Sequence, residues 1–86
     1  MNIYKISQDV NDNYDTYDSA IVAAHSEKEA KMMHPHRGNF YDKPNWDGTV
    51  EGYSSWCNVE DVKIRHIGIA LEDIKEGIIL ASFNAG

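Results

Sequence analysis

Residues 19–35 read SAIVAAHSEKEAKMMHP, a strand signal running directly into a helix signal. SAIVAA is apolar on both faces and has β-branched Ile21 and Val22 side by side, as in a central strand covered on at least one side. Ser26 followed three residues later by Glu29 is a capping box. The Ser26 hydroxyl accepts from the Glu29 N–H, and the Glu29 carboxylate reaches back to the Ser26 N–H. Pro35 limits the far end, because the residue before a proline is pushed out of the helical region. This predicts a helix of about nine residues with Ala30, Met33 and His34 on its inner face.

Upstream, residues 2–8 (NIYKISQ) alternate, with Tyr4 and Ile6 on one face and Lys5 and Ser7 on the other, which suits a half-buried strand. DVNDNYDTYD then places Asp or Asn at short intervals, whose side chains compete with regular backbone pairing, so this is the tip of a hairpin. Downstream, residues 58–61 suit one tight helical turn, and VKIRHIGIA follows as a strand. Val62, Ile64 and His66 share one phase and Ile67 and Ile69 the other, so a bulge or kink is expected near Gly68. Residues 78–83 (IILASF) are again apolar on both faces and read as a second central strand. The order β-β-α-long loop-β-β predicts an α+β fold, a mainly antiparallel four-stranded sheet with one short helix. A single domain over residues 1–86 is expected, since a chain of this length builds one modest core.

One short helix does not cover a four-stranded sheet. The remainder must be closed by the long loop, by another copy of the chain, or by both, so a homo-oligomer is expected. That loop, residues 34–57, reads HPHRGNFYDKPNWDGTVEGYSSWC and holds both tryptophans, both prolines and the single cysteine. A loop of this length is uncommon in a compact domain unless it is functional.

The formal net charge is -6, which disfavours direct binding to nucleic acid or to anionic membrane. Residues 31–46 run the other way, with Lys31, Arg37 and Lys43 against Asp42. A lone Cys57 excludes an internal disulfide framework and fits a reducing compartment. No apolar run is long enough for a membrane span, and the first residues lack the pattern of a signal peptide.

Loop composition carries the binding prediction. Trp46, Tyr53 and Trp56 offer flat apolar faces and Arg37 and Lys43 offer cations, with Arg65 able to reach in from the third strand. Aromatic stacking joined to cationic donors suits a small anionic, nucleotide-like ligand. The same tryptophans can instead be core plugs that seal the sheet. An alternative reading places function on the acidic residues Asp9, Asp12, Asp15, Asp18, Glu27, Glu60 and Asp61, as a docking face for a basic protein.

Other constellations are weaker. Asp9, Asn11, Asn13 and Asp15 alternate like half of a calcium loop, but Tyr14 and Ala20 stand where glycine and glutamate are required. His34, His36, Cys57 and Asp42 have transition-metal chemistry without the spacing of a structural zinc site, so no metal is assigned. His25 and His66 read as turn and sheet residues. Ser54 and Ser55 near Cys57 lack any nucleophile signature, and Gly48 and Gly52 lack the lysine and hydroxyl of a phosphate loop. No catalytic residue and no cofactor is predicted; an enzyme of unknown chemistry is the third alternative, requiring a serine or Cys57 against a histidine in a cleft.

MNIYKISQDVNDNYDTYDSAIVAAHSEKEA at residues 1–30, MHP at 33–35 and GIILASFNAG at 77–86 resemble a group of small proteins encoded by bacteriophages and prophages. The likeness covers both ends of the chain and is weakest in the central loop. It brings no activity and no catalytic residues. It implies a context, the cytoplasm of a bacterial host, and a role similar to anti-defence or host-takeover factors that bind a host protein or sequester a nucleotide signal.

Overall fold

The computed structural model describes residues 1–12, 15–35, 49 and 55–84. They form an α+β fold: a four-stranded antiparallel sheet with one short helix. The strands are β1 (Asn2–Ser7), β2 (Thr16–Ala24), β3 (Lys63–Ile69) and β4 (Gly77–Asn84), the helix α1 is Glu27–Lys31, and Val59–Asp61 forms a 3-10 turn. In space the strands lie in the order β3-β1-β2-β4.

The β1–β2 hairpin is the centre of the sheet, with Tyr4 opposite Val22 and Ile6 opposite Ala20. On one side Ile64 and His66 pair with Ile6 and Tyr4; on the other, Ala81 and Ile78 pair with Ala20 and Val22. These rows make one face, and Tyr4, Ile6, Ala20 and Val22 are buried on it. Ala30 and Met33, Trp56 and Cys57, and Val62 cover this face and complete the core. The alternation of NIYKISQ therefore reports the two sheet faces correctly, since successive strand residues point to opposite sides.

Ser26 caps α1 as expected, its Oγ accepting from the Glu29 N–H at 3.2 Å. The return bond differs: the Glu29 carboxylate accepts from the His25 N–H at 3.3 Å, one residue before the expected donor. The helix is also shorter than the nine residues expected, at five. Its last bonds, from the Met32 N–H to the Glu29 carbonyl and from the Met33 N–H to the Ala30 carbonyl, are of the tighter three-residue type, which draws in the last turn. Met33 and His34 are still buried, but they lie beyond the helix.

The phase switch in the third strand is a bulge. Ile3 faces Gly68 and Tyr4 faces His66, so Ile67 is the extra residue. Two further bulges break the β2–β4 ladder, with Asp18 the extra residue on β2 and Ile79 on β4.

The prediction for IILASF requires correction. β4 is an edge strand, and β1 is the second central strand. An apolar run reports that side chains can be buried on both sides, not which strand lies alongside. The connection from β3 to β4 crosses the end of the central hairpin. It is tied there by the Ala70 N–H to the Met1 carbonyl at 2.9 Å and by His25 Nε2 lying 3.5 Å from Glu76 Oε2. Leu80 on β4, opposite Ile21 on the face away from the core, is 68% exposed.

Candidate functional site

Four of the six residues predicted to bind a ligand, Arg37, Lys43, Trp46 and Tyr53, lie outside the described residues, as do His36, Asp42, Gly48, Gly52 and Ser54. Trp56 is fully buried and belongs to the core cluster, the position expected of a core plug. The plug reading describes it: a four-stranded face with a five-residue helix leaves apolar area that one indole fills. Arg65 is exposed on β3, on the face of the sheet opposite the core, directly across from Lys5 in the β1–β3 register. Lys63 lies two residues along the same strand. Three cations therefore share two adjacent strands. Lys5 was readable as an outward residue of β1, but its neighbour was not, because strand order is absent from local pattern.

Cys57 is buried, and burial together with the nearby charges of Asp61 and Asp9 pushes its thiol up to about 12. The thiol belongs to the core cluster beneath the sheet, shielded from solvent. His66 packs its ring on Tyr4 at 5.3 Å between centroids. Among the described residues, no three histidine, cysteine, aspartate or glutamate side chains converge on a metal position. Of the half calcium loop, Asn13 lies outside the described residues, Asp9 pairs with Lys63, and the Asn11 carboxamide donates to the Trp56 carbonyl at 2.9 Å.

A cleft of about 490 Å³ opens at the turn end of the hairpin. Gln8, Asp9, Asn11 and Asp12 line it from the turn, Thr16 and Asp18 from β2, and Ser82 and Phe83 from β4. Gln8 builds this end. Its Nε2 donates to the carbonyls of Asn11 and Tyr17, each at 2.8 Å, and its Oε1 accepts from the N–H groups of Val10 and Asn11. Asp15 closes the turn with φ 61°, a left-handed conformation that aspartate tolerates. The bulge at Asp18 adds its carboxylate to the cleft lining. Lys63 Nζ lies 2.6 Å from Asp9 Oδ2, and this hydrogen bond, with the lysine's charge, holds the Asp9 carboxyl below its ordinary value. Phe83 packs on Tyr17, with centroids 4.7 Å apart, while remaining 46% exposed.

The cleft thus combines three carboxylates with a half-exposed aromatic ring. The sequence placed Asp9, Asp12 and Asp18 among the acidic residues but did not show that a cleft gathers them, nor that Phe83 from the far end of the chain joins them. Glu27, grouped with them by composition, starts α1 just beyond the opposite end of β2. Among the described residues no helix is long and apolar enough to cross a membrane. No protein-family model, curated protein or solved structure matches this chain.

Proposed function

We propose that the protein is a non-catalytic binding protein that docks a basic segment of another protein in the acidic cleft at the hairpin end. The observation that carries this reading is the convergence of Asp12 and Asp18, beside the Lys63-paired Asp9, with the exposed ring of Phe83 around one opening. Carboxylates attract lysine or arginine side chains and steer their approach, and an aromatic ring offers a cation face or an apolar anchor. The likeness of the chain's ends to phage and prophage proteins supports an anti-defence or host-takeover role of this binding kind in a bacterial cytoplasm. The test is retention of a basic protein from bacterial lysate by the wild-type chain at low salt. Asp12→Asn/Asp18→Asn should lose it, and moderate salt should release it. Equal retention by wild type and double variant, or none by either, would overturn the reading.

A second reading keeps the small anionic, nucleotide-like ligand, supported by the register pairing of Lys5 with Arg65 on the open face of the sheet. Paired cations on rigid strands suit a phosphate group. Calorimetry with linear and cyclic nucleotides tests it; saturable heat that Arg65→Ala abolishes is expected, and no heat across the series sinks it.

A further inference from the structure

Lys5 and Arg65 are Cα partners in the β1–β3 ladder, and both are exposed on the face away from the core. Like charges placed directly opposite one another weaken a sheet. The chain has fourteen acidic residues against eight basic ones, yet among the described residues neither of these cations has an acidic partner. The neighbouring row is settled differently: Lys63 is paired with Asp9, and Ser7, Ser19 and Ser82 continue that row across the sheet. An anion held between Lys5 and Arg65 offsets their repulsion, and a guanidinium beside an ammonium suits the several oxygens of a phosphate. Their own row continues on the other two strands as Ile21, half-buried, and Leu80, 68% exposed. It therefore runs cation, cation, apolar, apolar across the four strands.

We propose that this row holds a nucleoside monophosphate, with the phosphate between Lys5 and Arg65 and the base laid on Ile21 and Leu80. The inference rests on the reading of this face as a site for a small anionic ligand and names the class of that ligand. Charge requires an anion at one end of the row. Neighbouring strands lie about 4.8 Å apart, so the middle of the cation pair and the middle of the apolar pair are separated by about 10 Å, the reach from phosphate to base in one nucleotide. The apolar half then discriminates against free phosphate and sugar phosphates, because only a base removes Ile21 and Leu80 from water. A polymer fits less well: the net charge of -6 opposes a polyanion, and this row lacks the aromatic rings on which successive bases stack.

The test is calorimetry of the full chain with adenosine monophosphate, ribose phosphate and inorganic phosphate. Adenosine monophosphate should bind saturably and at least about tenfold more tightly than the other two. Arg65→Ala should weaken both organic phosphates by about tenfold, whereas Leu80→Asn should weaken adenosine monophosphate by about tenfold and leave ribose phosphate unchanged. Ile69→Asn, at a 77% exposed position outside the row, should bind as the wild type does. The wild type gives a readout that needs no variant: methyl signals of Ile21 and Leu80 should shift with adenosine monophosphate and not with ribose phosphate. Nucleotide binding that Arg65→Ala abolishes but Leu80→Asn leaves intact, or that is no tighter than ribose phosphate, would overturn this inference and leave the anionic-ligand reading standing. No heat with any nucleotide, or binding of single-stranded RNA alone, would overturn both.

Discussion

The Gln8 carboxamide donates to the Tyr17 carbonyl at 2.8 Å, joining the end of β1 to the start of β2 through a side chain rather than a ladder bond. With its three further bonds inside the turn, this buried glutamine acts as the clip of an aspartate-rich connection. Gln8→Ala removes all four bonds, and at about 1 kcal/mol net for each the loss should reach about 2–4 kcal/mol. Urea denaturation measures it. A loss below about 0.5 kcal/mol, the range of an ordinary surface substitution, would show that the turn holds itself.

Among the described residues Trp56 is the largest fully buried side chain, so Trp56→Ala should destabilise the fold by about 3–5 kcal/mol, and Trp56→Phe by less. That cost is a large share of the stability of a domain this small, and Trp56→Ala should show a lowered midpoint or a loss of cooperativity in thermal unfolding. A tryptophan serving as a surface stacking platform would leave stability within about 0.5 kcal/mol of the wild type.

Cys57 makes a prediction in pH. Its thiol, at about 12 in the folded chain, stays protonated while the unfolded chain ionises near the ordinary thiol value of about 8.5. The folded state then binds more protons, so this group lowers stability as pH rises above the unfolded value, by up to about 1.4 kcal/mol per unit. Below that value it contributes no pH dependence. Comparing wild type with Cys57→Ala from pH 7 to 10 isolates the effect, because other titrating groups are common to both. In the same conditions iodoacetamide should leave the folded thiol unmodified at pH 8 and alkylate it in urea.

The Lys63–Asp9 pair, at 2.6 Å, gives the opposite sign. The depressed Asp9 carboxyl contributes to stability above the unfolded aspartate value of about 3.9, and that contribution is lost as pH falls through the lower folded value. Both side chains are well exposed, so the effect on stability is small. The measurable consequence is local: carbon-detected titration should find Asp9 ionising below an ordinary aspartate, and Lys63→Met should return it upward. An unchanged Asp9 midpoint in that variant would mean that the pair does not persist in solution.

How much was legible in the chain follows the range of the forces involved. The alternation of Tyr4 and Ile6 against Lys5 and Ser7, the Ser26 cap on Glu29 and the phase switch beside Gly68 are set by neighbours a few residues apart, and all are readable. Even there, the return bond to Glu29 comes from the His25 N–H and the helix stops at Lys31, where the bonds tighten to the three-residue type. Trp56 carried both a stacking and a plugging reading, since an indole has the same apolar face in either place. Burial against Tyr4, Ile6 and Val22 in the core selected the plug.

The sequence by itself determined the element types, the inward and outward faces of β1 and the acidic character of the chain, because these depend on side-chain chemistry at short spacing. Only the tertiary structure decided the strand order. That order put the apolar β4 at an edge, set Arg65 beside Lys5, and brought Phe83 to Asp9, Asp12 and Asp18. The physical reason is that backbone pairing is blind to residue identity. Any of these strands can hydrogen-bond to any other, so the choice belongs to the packing of the whole face, in which the hairpin takes the centre and the later strands take the edges.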